Sequence, residues 1–516
     1  MSEHYYITTP IFYPNGRPHI GHAYNVIVSD VLARFHRLLG YKVLFTTGTD
    51  DHGLKMQRTA EKEGISPQEL ADKNSKVFSD MMNILNVSYD IFVRTTNHNH
   101  KKSCQHLWQT MLDNDDIYLS GYKGWYSVTQ EAYFDEKETT IDEHGIRREP
   151  LGSIVEWNEE ESYFFRLSKY QQPLLDFYEA NPSFVSPPER MNEVITFVKS
   201  GLKDFSISRT SFEWGIPVPN DNKHVMYVWV DALTNYISNL DYPNKQSELW
   251  KFWPATTHMI GKDILRFHAI YWPAFLLSAG LAAPKNIFAH GFLLNKDKKM
   301  SKSLGNIIDP FELVKLYGLD QFRYFLLREI SLGQDGNYNH EAMVNRINSD
   351  LANDLGNLAQ RSLSMIAKNC NSRIPSNKNL DEEEKQLLSH AQNSYKLIVK
   401  AMQDNQPNNA LSEIFNIIST TNKYFANQKP WELKKTNYQK FENILYITLE
   451  LLRRIAILLI AFIPESANKL LDLLAIEPEE RNFKYIDIPL KPGTILPEPK
   501  AIFPRFINEK VDNNAD

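Results

Sequence analysis

Tyr6-Ile7-Thr8-Thr9-Pro10-Ile11-Phe12-Tyr13 is an apolar, strand-forming run, Pro14-Asn15-Gly16-Arg17-Pro18 turns the chain, and His19-Ile20-Gly21-His22 opens the next element. Val26, Val31, Leu32 and Phe35 follow at helical spacing toward Gly40, and Lys42-Val43-Leu44-Phe45 reads as a second strand. Strand, helix and strand in this order predict a βαβ unit, which joins parallel strands and places the chain in the α/β class. Ligands of such sheets bind beyond the carboxyl ends of the strands. His19 and His22 follow the first strand and Gly48-Thr49-Asp50-Asp51-His52-Gly53 follows the second, so both stretches are expected at that edge.

The start of a helix offers unpaired backbone N–H groups and the positive end of the dipole, and histidines at i and i+3 share one face from which to donate to phosphoryl oxygens. Alone, His19 and His22 read more readily as a satisfied, partly buried pair. The second motif is Lys299-Met300-Ser301-Lys302-Ser303, which with Lys296 and Lys298 would otherwise be a solvated basic loop. Together, in this order, the two point to ATP handled by adenylyl transfer. Between them, Met226-Tyr227-Val228-Trp229-Val230-Asp231 reads as a buried strand ending in a polar residue. His258-Met259-Ile260-Gly261-Lys262-Asp263 reads as a strand-to-helix transition, where Gly261 and Asp263 either approach a nucleotide or cap a helix. Asp50 has the alternative of capping the helix that follows it.

A length of 516 residues leaves room for two or three domains. The net charge of -6 argues against indiscriminate nucleic-acid binding, so any RNA must be met by a local surface. Cys104 and Cys370 are the only cysteines, which excludes a disulfide framework and fits a reducing, cytoplasmic setting. The start of the chain does not read as a signal peptide. The apolar run Ile455–Ile463 is far shorter than the roughly 20 residues of a membrane span, so it is expected to be a buried helix. Short aromatic strands and acidic turns from about Ser120 to Glu160 read as a small insertion. Amphipathic stretches after Tyr338 predict an α-helical bundle, and the proline-rich segment from Asn482 an extended tail.

Over most of its length the chain resembles the bacterial methionyl-tRNA synthetases of class I. The resemblance rests on Gly201-Leu202-Lys203-Asp204-Phe205-Ser206-Ile207-Ser208-Arg209, Trp214-Gly215-Ile216-Pro217, Tyr227-Val228-Trp229-Val230-Asp231-Ala232 and Ile260-Gly261-Lys262-Asp263-Ile264-Leu265-Arg266-Phe267-His268, besides the histidine and lysine motifs. It implies a Rossmann-like parallel-sheet catalytic domain in two halves, 1–118 and 219–297, split by a connective insertion at 119–218. A lysine-motif loop and stem-contact region at 298–345, a helical anticodon-binding domain at 346–475 and an extended tail at 476–516 would follow.

The same resemblance implies a methionine pocket of Ile11, Tyr13, Asp50, Trp229, Tyr236, Ile264 and His268. ATP binding would fall to His19, Gly21, His22, Gly261, Asp263, Lys299 and Lys302, with His19, His22, Lys299, Lys302 and Arg209 as catalytic groups. Asn357, Arg361 and Trp431 match positions that read the anticodon. ATP with Mg²⁺, L-methionine and both initiator and elongator methionine tRNA are the implied partners. Without the further dimer-forming domain of many family members, a monomer is expected. Family members often carry a zinc knuckle beginning Gly-Trp-Tyr-Cys, but this sequence has Gly124-Trp125-Tyr126-Ser127-Val128-Thr129-Gln130, and neither Cys104 nor Cys370 is near, so no structural zinc is expected. His98, His100, Cys104 and His106 match no metal-binding spacing and read as the start of a helix. A small-molecule nucleotidyltransferase with a His-x-Gly-His site is the alternative class, which leaves the helical bundle unexplained.

Overall fold

His4–Thr8 (β1) is buried on both faces, as a central strand of a parallel sheet must be. Pro10 has no N–H to give the sheet, yet the chain keeps company with its neighbour beyond that point. Phe12 N donates to Gly48 O at 2.8 Å, and Asp50 N donates to Phe12 O at 2.9 Å. Ile20–Leu38 (α1) follows, and then Lys42–Thr49 (β2) and Ile91–Arg94 (β3). The chain is described here by a computed structural model at residues 3–129, 132–295, 298–300 and 306–507.

Val185–Ser186 (β4), Thr257–Gly261 (β5) and Ile287–His290 (β6) complete a six-stranded sheet in the order β3-β2-β1-β5-β6-β4. The chain runs outward from β1 to β3 on one side and from β5 to β6 on the other. β1 and β5 pair in parallel, Ile7 opposite Thr257, so the strand order switches direction between them and their carboxyl ends open a crevice. The helix expected after Pro18 and the β5 transition at Gly261 therefore meet at one edge, as the sequence predicts.

One expectation fails. The apolar run at Met226–Asp231 is not a strand: the strand Asp221–Met226 ends there, and Val228–Ser238 is a helix. Val228 and all of Val230–Ile237 are buried, and a helix covered on every side carries an apolar run with no 3.6-residue period to betray it. His98–Asp113 forms the helix expected there; it is α2, and Val228–Ser238 is α3.

In the insertion, Ile117–Ser127 pairs antiparallel with Glu156–Phe165, flanked by Ala132–Phe134 and Phe205–Ser206. The Arg147 guanidinium lies 4.6 Å from the Trp125 ring and donates to Thr139 Oγ1 and Glu136 Oε1, while Trp157 meets Trp125 edge-on at 5.2 Å. Cation–π contact, a hydrogen bond and an ion pair through Arg147 thus tie Trp125, Thr139 and Glu136 together. Ser127 is buried, and Gln130 lies outside the described residues.

The chain divides into two compact units. One is Glu3–Ser29 with Val43–His290, which holds the sheet and the insertion; the other is Asp30–Lys42 with the chain from Gly291 onward. In the second unit the helices Asn357–Asn369, Glu382–Gln403, Pro407–Gln428, Tyr438–Leu459 and Pro464–Leu473 form the expected bundle. Tyr438–Leu459 is buried on nearly every side and includes part of the Ile455–Ile463 run. No helix among the described residues is long and apolar enough to cross a membrane. Arg323 and Asp30, both fully buried, pair at 2.7 Å, and Arg323 Nε also donates to Phe462 O. The tail crosses the bundle as an extended strap: Ile374 N donates to Thr494 O, Leu496 N to Ser372 O, and Phe506 N to Asn348 Oδ1.

Gly48 lies opposite Val93 in the β2–β3 register, and a Cβ there would stand 2.1 Å from Val93 O. Gly48→Ala is expected to push β3 off β2 and to cost about 3 kcal/mol or more, the upper range for overpacking, read as a lowered urea midpoint.

Candidate active site

The histidine motif is a helix start capped by its own imidazoles. Gly21 N donates to His19 Nδ1 at 3.1 Å and His19 N donates to His22 Nδ1 at 3.1 Å. Two backbone donors that the helix leaves without intrahelical acceptors are satisfied this way. Each Nδ1 is an acceptor, so in each neutral ring the proton sits on Nε2, which becomes a hydrogen-bond donor. The rings stack with centroids 3.8 Å apart, and Phe12 and Phe78 close on His22 edge-first. Burial pushes His19 down to about 4, against the opposing pull of the Asp263 carboxylate. Burial, with His19 adding to it, pushes His22 well below its ordinary value. A Cβ on Gly21 would lie 2.9 Å from His19 Cε1, so the residue between the imidazoles must be glycine for the cap to close.

At β5, a Cβ on Gly261 would fall 2.6 Å from Asp263 Oδ1. Asp263 is exposed on a single turn, Lys262–Ile264, and its electrostatic influence on His19 puts the two sides of the crevice within reach of each other.

Seven residues are expected around methionine, and the structure gathers them in two groups. Ile11, Tyr13 and Asp50 form the first, joined through the Asp50 N to Phe12 O bond, with Tyr13 Oη accepting from Met56 N at 3.0 Å. Asp50 is buried and does not cap a helix, the next helix being preceded by Gly53. Trp229, Tyr236, Ile264 and His268 form the second. His268 Nδ1–H donates to Ile264 O at 2.9 Å, so Nε2 must accept, and the Tyr236 hydroxyl donates to it at 2.7 Å. Burial holds His268 down at about 4, a neutral ring, although the bond to Ile264 pulls the other way. Trp229 lies flat on Phe267 with centroids 3.8 Å apart and meets His268 edge-on. The turn Phe267–Tyr271 is wound wider than an α-helix, an irregularity that recurs at functional sites.

Arg209 is almost wholly buried. Its guanidinium donates to Ser206 Oγ and Ser208 O at 2.7 Å and lies within 4.6–5.4 Å of the rings of Tyr227, Tyr133 and Tyr126. Lys299 belongs to a short strand, Lys298–Lys299, in the second unit, and Lys302 lies outside the described residues. Asn357 and Arg361 are both exposed on the helix Asn357–Asn369, opposite buried Leu358, Leu363 and Ile366, and Arg361 covers the Phe425 ring at 5.0 Å. Trp431 is 51% exposed, so its ring is open to solvent.

Sequence reading missed a buried carboxylate. Asp231 on α3 accepts from His52 Nδ1 at 2.6 Å and from His100 Nε2 at 2.7 Å, with Cys104 Sγ 3.3 Å from the same His100 nitrogen. His100 and Cys104 are one turn apart on α2, a spacing visible in the sequence, but nothing in it announces that Asp231 lies between them and His52.

Residues 5–144 and 148–363 match the family described as tRNA synthetases class I (M), and residues 374–516 match the anticodon binding domain of methionyl tRNA ligase. The chain belongs to the methionyl-tRNA synthetase family. It is 60% identical over 509 residues to the methionine–tRNA ligase of Mesorhizobium japonicum, covering 98% of each chain, and 58% identical over 512 residues to that of Brucella suis, covering 99% of each. The structure of Mycobacterium tuberculosis methionyl-tRNA synthetase in complex with methionyl-adenylate superposes with a TM-score of 0.96 at 50% identity, over 98% of this chain and 100% of that one. As a methionyl-tRNA synthetase the chain is a ligase that couples ATP to the charging of tRNA, and the nucleotidyltransferase alternative is set aside. Two cysteines, far apart in sequence, provide no cysteine zinc knuckle.

The buried neutral histidines predict that this methionyl-tRNA synthetase loses stability in acid. His19, His36 and His268 have folded pKa values of about 4 against 6.5, so between these limits the unfolded chain binds more protons than the folded one. Their contribution is fully present above pH 6.5 and is lost as pH falls toward 4. Urea midpoints measured from pH 8 downward are expected to hold until about 6.5 and then decline; a midpoint constant to pH 4 would contradict neutral burial of these rings.

Proposed function

We propose the following division of labour for ATP-dependent charging of methionine tRNA, carried above all by one observation: His19 and His22 are neutral and each keeps a proton on Nε2 at a helix start on the switch-point edge. In the first step a carboxylate oxygen of L-methionine attacks the α-phosphorus of ATP, the bond to the bridging oxygen of pyrophosphate breaks, and methionyl-adenylate forms. Imidazole Nε2–H groups of His19 and His22 donate to the phosphoryl oxygens, and the backbone at Gly21 and Gly261 lets the nucleotide come close. Asp263 faces the nucleotide from the β5 side. Lys299 and Lys302 supply positive charge where the pentavalent centre accumulates negative charge, so the barrier falls by positioning and electrostatics, without a covalent protein intermediate. Arg209 serves the same centre as a fixed positive charge held in its tyrosine cage.

Asp50 pairs with the substrate ammonium. Ile11, Tyr13, Trp229 and Ile264 surround the thioether chain, and Tyr236 with His268 presents an oriented hydroxyl and a neutral ring near the sulfur. In the second step a ribose hydroxyl of the terminal tRNA adenosine attacks the adenylate carbonyl and AMP leaves. Asn357, Arg361 and Trp431 read the anticodon, whose unstacked bases suit amide, guanidinium and indole partners, on initiator and elongator methionine tRNAs alike.

Mg²⁺ enters with ATP and neutralises phosphate charge. The buried group His100, Cys104 and Asp231, rich in nitrogen and sulfur, is unsuited to this hard cation. The same reading takes the enzyme as a cytoplasmic monomer.

Lys302→Ala is expected to slow methionine-dependent adenylate formation about 100-fold or more in stopped-flow activation, with thermal unfolding unchanged; a wild-type rate would reduce Lys302 to a loop residue. Trp431→Ala is expected to leave methionine-dependent pyrophosphate exchange intact while costing roughly 1–3 kcal/mol in tRNA recognition. Charging of intact and anticodon-altered tRNA reads this out, and an unaltered anticodon preference would remove Trp431 from the RNA surface.

A further inference from the structure

The two groups of pocket residues come from separate parts of the chain. Ile11, Tyr13 and Asp50 belong to the loops after β1 and β2, whereas Trp229 and Tyr236 ride on α3, with His268 bonded to Tyr236 and in turn to Ile264 O. Methionine held by its ammonium at one group and its thioether at the other reads the distance between them. Asp231 is on α3, two residues after Trp229 and five before Tyr236, and His52 is two residues after Asp50. We propose that the His52–Asp231 hydrogen bond, backed by His100, is a clamp that sets the spacing of the methionine pocket and makes His52 and Asp231 positioning residues for methionine selection.

Both residues of the clamp are locked from behind. Asp231 is about 1% exposed, and each of its oxygens takes one imidazole N–H, Oδ2 from His52 and Oδ1 from His100. His100 Nδ1 meets Ser238 Oγ at 2.8 Å, tying the far end of α3 to α2. On the other side, Trp214 stands edge-on to His52 and donates Nε1–H to Asp51 O at 2.7 Å. Asp51 is itself held by Arg94 Nε, Thr96 Oγ1 and Thr49 Oγ1, so the Asp50–His52 loop has little freedom except through its bond to α3. Burial alone would raise the Asp231 pKa; the two imidazoles bring it down to about 2, so the carboxylate is ionised and acts only as an acceptor.

A metal centre is the competing use of His100, Cys104 and Asp231. Two nitrogen or oxygen ligands at 2.0–2.1 Å from a tetrahedral zinc would stand about 3.3 Å apart. The 2.7 Å between His100 Nε2 and Asp231 Oδ1 is a hydrogen-bond length, and burial with the neighbouring Asp231 charge holds the Cys104 thiol well above its ordinary pKa, in its protonated form.

Removing Asp231 would strand two imidazoles in the interior and confuse misfolding with mispositioning, so the test is made at His52. The amide nitrogen of Asn stands close to where imidazole Nδ1 stands, whereas that of Gln reaches the position of Nε2. His52→Gln is expected to raise KM for methionine about 10-fold or more in pyrophosphate exchange, with kcat within about 3-fold and KM for ATP unchanged, and His52→Asn to recover most of the loss. Equal behaviour of the two variants, an unchanged methionine KM in His52→Gln, or an equal rise in KM for ATP would overturn the clamp. The proposal rests on Asp50 as the ammonium partner, and Asp50→Asn in the same assay separates the two ideas. An unchanged methionine KM there removes the Asp50 assignment, while the clamp is judged by whether the two His52 variants part company.

Discussion

Every helix leaves its first backbone N–H groups without intrahelical acceptors, and at the head of α1 this family-defining motif answers that demand with imidazole nitrogens. The consequence runs outward from there. Because Nδ1 is spent on the backbone, the proton of each ring is confined to Nε2. Because Phe12 and Phe78 exclude water, the rings remain neutral, and because Gly21 has no side chain, the turn can close at all. The same bonds that begin the helix prepare donors for an anion, so the local stability of α1 and the chemistry of the crevice are one arrangement.

The α/β class, the helix after Pro18 and the meeting of both motif-bearing strand ends were readable because they depend on local pattern and on the right-handed crossover of βαβ units. Tyr236 beside His268 was readable only through family resemblance, since a whole strand separates the two in the chain. Two features escaped. Val228–Asp231 looks extended because a helix buried all round has lost its polar face, and Asp231 looks like the polar end of a strand because its two partners are set by tertiary packing. Exposure carries information too: Trp431 stands out in the sequence only through the family resemblance, and its half-exposed indole is a fact of the bundle alone.

The insertion illustrates a different economy. Its hairpin is long enough to be held by ladder hydrogen bonds from Ile117 to Tyr126, so what remains for its tip is to arrange short turns. Arg147 does this with one planar cation that touches an indole, a hydroxyl and a carboxylate. Guanidinium geometry suits the task where an ammonium would satisfy one partner at a time.

Arg323 and Asp30 raise an evolutionary question. Each is sealed from solvent, Arg34 joins them by pairing with Asp30 at 2.8 Å, and removing one partner of such a buried pair typically costs about 3–5 kcal/mol, whereas replacing both by apolar groups of matching volume can be neutral. Neither position can drift alone, although the pair can drift together. Lineages descended from this chain should therefore either keep both residues or have exchanged both, with few intermediates surviving, so the two sites trace a shared history rather than two independent ones.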